Sequence, residues 1–254
     1  MKYICSYRFL FDSPNWLMNL LVGVVSQFVP VLGPMVLGGY AFEIIETLHR
    51  RKGAPYPDFD TNQLMKYLTR GVWPFVVIVL ISLPLAAIII IVSMCFGVGM
   101  AIGSAKDHPF MILMLIAVFY LAIFVLLGLR DLVVIPFALR AGLIQDFKPA
   151  FSLEFAKDFV KRVWLEMVLA ELFLVGTGIV LSMVGMMVFC VGVYVAAALI
   201  TYAHYHLLYQ LYELYLERGG MAIPLKPEPV TTSSAEPPPP DAPPSESVMP
   251  ADEP

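Results

Sequence analysis

The sequence predicts an all-α, polytopic membrane protein with about six membrane helices in three hairpins and a disordered proline-rich C-terminal tail. Three observations carry this expectation. Residues 13–42, 71–105, 109–129 and 172–203 contain no Asp, Glu, Lys, Arg or His, and each stretch reaches the roughly 20 residues that span hydrocarbon. All sixteen Lys and Arg lie outside those stretches. The chain is 59% hydrophobic and only 14% charged, with a mean hydropathy of +0.79, which excludes an ordinary soluble domain of this length.

Each element can be justified in order. Asp12-Ser13-Pro14-Asn15-Trp16 offers a capping side chain, a proline suited to a first helical turn and an interfacial tryptophan. A membrane helix is expected to begin there. The apolar run continues to Leu48, too long for one crossing, and Val29-Pro30-Val31-Leu32-Gly33-Pro34 interrupts it with two prolines that break helical hydrogen bonding. Two helices follow, over about 14–31 and 34–50, although a re-entrant hairpin satisfies the same pattern. Asp60 with Gln63 reads as a capping box ahead of a third span at about 71–96, and a fourth starts at Pro109.

Between Pro149 and Arg162, a 100° helical wheel places Phe151, Leu153, Phe155, Ala156, Phe159 and Val160 on one arc, opposite Glu154, Lys157, Asp158 and Lys161. This predicts an amphipathic helix in the headgroup plane with Asp158 and Arg162 paired at i,i+4. The apolar run from Val163 to about Tyr215, broken near Gly185–Gly192, supplies the fifth and sixth helices. Gly178, Ser182, Gly185, Gly192 and Ala196 are small residues placed to let those two pack closely. The stripe Tyr202, Tyr205, Tyr209, Tyr212 is expected to form an aromatic belt at the boundary, with a ligand-stacking wall as the alternative.

Charge sets the orientation. With alternating crossings, fifteen of the sixteen basic residues fall on one side and only Lys106 on the other. Positive charge is retained in the cytoplasm, so both termini are expected to be cytoplasmic in a cell membrane. Lys2 and Arg8 precede an apolar run with no small-residue cleavage site, which reads as an uncleaved anchor.

The chain divides into a helical transmembrane domain, 1–226, and an acidic tail, 227–254. The tail holds ten prolines, six acids and no Lys or Arg; such a segment cannot bury a core and adopts polyproline II in part. It is a candidate docking segment for a cytoplasmic proline-reading partner. The bilayer is the other expected partner, and no nucleic-acid contact is expected.

Chemical motifs are lacking. Cys5, Cys95 and Cys190 have neither metal spacing nor a disulfide framework, and the four histidines form no zinc motif. His204 and His206, two apart on a helix, point in opposed directions and cannot share one ion. Gly97, Gly99 and Gly103 lie at the end of an apolar span with no strand before them, so no dinucleotide loop is read there. No catalytic, cofactor-binding or metal-binding residue is assigned and no cofactor is expected. A subtler pattern links two turns: Val29-x-x-Leu32-Gly33-x-x-Val36 resembles Val188-x-x-Val191-Gly192-x-x-Val195, which suggests a parallel internal repeat.

The residues that suggest mechanism are ionisable groups within reach of the bilayer: Glu43, Arg130, Asp131 and Glu171. Charges at depth cost about 2.5–3.5 kcal/mol each on insertion scales and face protein, water or a partner. Glu43 or Glu171 is expected to pair with Arg130, the alternative being that all four snorkel to the interface.

Phe11-Asp12-Ser13-Pro14-Asn15-Trp16, the turn Val29–Pro34 with Gly38-Gly39-Tyr40, and Tyr56-Pro57-Asp58-Phe59-Asp60 leading to Arg70-Gly71 together resemble the bacterial and archaeal membrane family called domain of unknown function 4013. The resemblance spans roughly 8–215. It implies a polytopic helical membrane protein with no established activity and supplies no catalytic residues. The expected function is therefore non-enzymatic: a structural, assembly, lipid-interacting or partner-interacting membrane component. The alternative is a small-solute or ion transporter or channel that uses the buried acids.

Overall fold

The computed structural model describes residues 1–102, 109–188 and 191–226. Lys106, Cys190 and the proline-rich tail lie outside the described residues. Regular structure among the described residues is helical. In chain order the helices are α1 (Cys5–Phe11), α2 (Trp16–Val25), α3 (Leu32–Arg50), α4 (Leu64–Ile102), α5 (Pro109–Ile144), α6 (Phe147–Ala150), α7 (Leu153–Met187) and α8 (Val191–Glu217). Short 3-10 turns, Ser26–Phe28 and Thr61–Gln63, extend α2 and lead into α4.

Helices α4, α5, α7 and α8 are long and apolar enough to cross a membrane. The 39 residues of α4 rise about 58 Å and the 27 of α8 about 40 Å. The segment Trp16–Phe28 is a shorter apolar helix. Ten residues of α2 rise only about 15 Å, half the hydrocarbon thickness. Helix α3 has 19 residues, and its last turns carry Glu43, Glu46, His49 and Arg50.

Packing follows a closed circuit in which α3 lies on α4, α4 on α5, α5 on α7 and α7 on α8, while α8 returns to α1, α2 and α3. Two crossings rest on glycine. A Cβ on Gly39 would lie 1.8 Å from the Tyr67 carbonyl oxygen, and one on Gly71 would lie 1.8 Å from that of Met35. The α3 and α4 backbones therefore touch, as small residues permit where lipid supplies no hydrophobic drive. At the α7–α8 turn, a Cβ on Gly185 would fall 2.6 Å from the Gly192 carbonyl, and one on Gly192 would fall 2.5 Å from the Gly185 carbonyl. That is the close approach expected of this pair.

The two turns that share a sequence pattern also share geometry. Val29 and Val188 have φ/ψ of −107/93 and −103/67, and their N–H groups donate to Ser26 and Gly185, three residues earlier. Gly33 N donates to Val29 O at 2.9 Å and Gly192 N to Val188 O at 3.3 Å. Each glycine faces the carbonyl seven residues before it. The first turn has a further constraint: Val31 sits at φ 68, ψ −60, and Leu32 N donates to Pro30 O at 2.8 Å, a γ-turn that strains a β-branched residue.

The largest buried side chains gather where the basic residues do. Phe42, Leu139, Leu143, Phe155, Phe159, Met167, Tyr212 and Tyr215 form one core. Away from it the long helices are bare: the most apolar window of α5 is 0% buried and that of α8 33%. Exposed apolar surface on this scale is what a bilayer covers.

The amphipathic segment 149–162 is not a free interfacial helix. It forms the short α6 and the start of α7, which bends at Val163 (φ −132, ψ 16). Phe155 and Phe159 are fully buried, with rings 5.5 and 4.8 Å from Tyr215, so protein covers this part of the arc that was expected to face headgroups, while Phe151 and Leu153 stay exposed. Asp158 does accept from Arg162 Nε, at 2.9 Å, and also from Tyr215 Oη at 2.8 Å. Of the tyrosine stripe, Tyr205 and Tyr209 stay partly exposed, while Tyr202 and Tyr212 lie in the interior. Tyr202 and Tyr212 are 4% and 0% exposed, and each hydroxyl is engaged, Tyr202 donating to Asn19 O at 2.6 Å and Tyr212 accepting from Ile223 N at 2.9 Å.

Candidate functional site

Three of the four ionisable residues singled out in the sequence come together, and a histidine joins them. Arg130 and Asp131 lie on α5, Glu171 on α7 and His204 on α8. Arg130 Nη1 donates to Asp131 Oδ1 at 2.7 Å, and its Nε donates to Ser82 Oγ of α4 at 2.9 Å. Glu171 Oε1 lies 3.8 Å from His204 Nδ1. Arg130 thus takes its sequence neighbour as its ion-pair partner and reaches Glu171 only through its field.

The four side chains are partly covered, from 23% exposure for Asp131 to 37% for His204. Glu171 lines two adjoining hollows. One, of about 690 Å³, runs between α7 and α8 past Gly178, Ser182, Thr201 and His204. The other, of about 210 Å³, lies between α5 and α7 and includes Gly128, Asp131 and Met167. Their walls are otherwise apolar. Two carboxylates, one guanidinium and one imidazole can hold a proton or a small cation. No group of three metal-ligating side chains occurs among the described residues.

Glu43 belongs elsewhere. It accepts from Lys66 Nζ at 2.6 Å and from Arg70 Nη1 at 2.8 Å. Arg70, 4% exposed, also donates to Glu46, which accepts from Arg50 Nε at 2.8 Å. This network ties α3 to the start of α4. It takes no part in lining the hollows.

A second polar centre was not read from the sequence. Ser13 donates to Asp58, Asn15 Nδ2 donates to Asp58 at 2.7 Å and Asn19 Nδ2 at 3.2 Å. Asn19, wholly buried, accepts from Phe59 N at 2.9 Å, and Tyr40 Oη donates to Pro57 O at 2.7 Å. The hydroxyl of Ser13 first, then the amides of Asn15 and Asn19, holds the Asp58 carboxyl below the usual carboxylate range against the opposing effect of burial. Asn19, a lone amide within an apolar helix, was the available signal. The expected cap at Asp60 is present, accepting from Asn62 N at 2.9 Å, while Gln63 reaches its carboxylate at 3.0 Å and not its backbone N–H.

His206 packs its ring on Phe9 at 4.3 Å and approaches Ser6 Oγ at 3.2 Å, away from His204. Cys5 and Cys95 are free and exposed. Gly97 and Gly99 lie within α4.

Long apolar helices bare to the bilayer, glycine-mediated crossings and charge gathered at one end define a polytopic α-helical membrane protein. The chain belongs to the family described as "Protein of unknown function (DUF4013)", whose model matches residues 22–190. No curated protein and no solved structure matches the chain. The family match includes the γ-turn, the α3–α4 network, Asp58 and the Arg130–Asp131–Glu171 group. Phe11–Trp16, which carried part of the resemblance, precede it.

Proposed function

We propose that this protein is a non-enzymatic component of the cell membrane that engages lipid and protein partners, with both termini in the cytoplasm. The observation that carries this reading is the division of the molecule into a packed, ion-paired end and long helices whose apolar faces are uncovered. With crossings assigned alternately, fifteen of the sixteen basic residues fall on one side, which supports a cytoplasmic placement. The tail after Lys226 serves as the docking segment for a proline-reading partner.

Four helices cross, and α1–α3 enters and returns as a re-entrant hairpin. The shortness of α2 supports this in place of six crossings. So does its tip, where Pro30 and Pro34 carry no N–H and Gln27 Nε2 donates to Gly23 O at 3.1 Å and Tyr194 O at 2.8 Å. A turn within hydrocarbon must satisfy its backbone groups internally or against protein.

A second reading, ion or solute movement, is favoured by Glu171 lining both hollows. Proteoliposomes loaded with a pH-sensitive dye separate the two. The first reading expects proton leak no faster than in protein-free vesicles. A leak that Glu171→Gln abolishes would establish the second.

A further inference from the structure

We propose that the groove between the C-terminal half of α5 and the first segment of α7 binds an anionic phospholipid. The inference builds on the lipid-engaging reading above and gives the lipid a chemical class and a seat. The groove encloses about 410 Å³, and its walls include Leu132, Val133, Phe137 and Val160, with Lys157 and Lys161 among its lining residues. It is an acyl-chain channel with two ammonium groups beside it.

Three features make the charge available. The lysines are four residues apart and share one face of the helix. Both are exposed, and among the described residues neither has a hydrogen-bonding or ion-pairing partner. The acid between them is already committed, since Asp158 is held by Arg162 and Tyr215. Glu154, one turn earlier and exposed, makes no ion pair with either. Arg130, on the same stretch of α5, is occupied by Asp131.

The surroundings mark the headgroup level. Phe137 of the groove stacks toward Phe151 at 5.7 Å, Phe151 meets Phe147 at 5.1 Å, and Phe147 meets Trp73 at 5.9 Å. Aromatic residues of this kind gather at membrane–water boundaries. A phosphodiester bridged by the two ammonium groups would leave a chain lying on Val133 and Val160. A soluble phosphate has no use for that apolar floor, which is why the occupant is a lipid.

The test uses the full-length protein in mild detergent, titrated with phosphatidylglycerol or phosphatidylcholine of identical chains while native mass spectrometry counts bound lipid. Phosphatidylglycerol should be retained preferentially. Lys157→Gln with Lys161→Gln should weaken it about thirty-fold, the worth of two basic residues at a membrane surface, and leave phosphatidylcholine unchanged. Lys2→Gln with Arg51→Gln, an equal loss of charge elsewhere, should change neither. Val133→Trp, which fills the groove and keeps both lysines, should also lower retention. Equal losses in both charge variants, no loss in the lysine pair, or full competition by glycerol phosphate would each overturn the site. Because binding in detergent does not depend on orientation, failure here is distinct from failure of the cytoplasmic assignment, which thiol labelling in cells reads directly.

Discussion

Asp58 shows how one side chain can organise distant segments of the chain. Its carboxylate gathers donors from Ser13, Asn15 and Asn19, so Asp58→Asn should cost about 1–3 kcal/mol, the scale of a hydrogen bond to a charged group. A carboxyl held below its unfolded value contributes stability that is complete above that value, about 3.9, and is lost as pH falls through the folded one. Melting in detergent should therefore decline on the acid side for the native protein, and Asp58→Asn should flatten that decline. A pH profile unchanged by the substitution would remove Asp58 from this role. At the intramembrane group, a double-mutant cycle should find coupling between Arg130 and Asp131, near additivity between Arg130 and Glu171. The sequence made Arg130, Asp131 and Glu171 visible because charges stand out against apolar runs. It did not reveal the pairing, since an adjacent residue on the same turn satisfied the guanidinium before a distant helix could.

At the scale of elements, glycine decides which helices touch. Gly39→Ala would press a methyl onto the Tyr67 carbonyl and should destabilise by about 3 kcal/mol, the upper range of overpacking. Gly97, with nothing within 4 Å, gives the opposite expectation: Gly97→Ala should stabilise by about 0.5–1 kcal/mol through helix propensity. Thermal melts of the two variants check both signs. Arg70→Met should cost about 1–3 kcal/mol, since it removes the buried donor that Glu43 and Glu46 share while Lys66 and Arg50 stay beside them. Element positions were legible in the sequence wherever hydrophobic runs met prolines or caps, as at Pro30, Asp60 and Gly185–Gly192. Tyr202 and Tyr212 of the tyrosine stripe, and Phe155 and Phe159 of the 149–162 arc, lie in the interior and not at the boundary, for one physical reason. An aromatic, amphipathic surface fits a headgroup boundary and a protein core equally well, and only the neighbouring helices decide which covers it. Tyr215, lying between Phe155 and Phe159, settled that choice.

At the scale of the molecule, the central claim is that one end is packed, charged and cytoplasmic while the α2–α3 tip remains inside the bilayer. Charge asymmetry is the sequence's argument for the proposed orientation, but parity does not separate a crossing hairpin from a returning one. The length of α2 and the strained γ-turn at Val31 favour the returning hairpin proposed above. The most direct measurement replaces the native cysteines and introduces single ones beside Lys106, at Arg51 and at Val31, then treats intact cells with a membrane-impermeant thiol reagent. The position beside Lys106 should be labelled, while Arg51 and Val31 should be protected until the membrane is opened, when Arg51 alone should react. Labelling of Val31 in intact cells would mean that the hairpin crosses, and labelling of Arg51 would reverse the orientation on which the account stands.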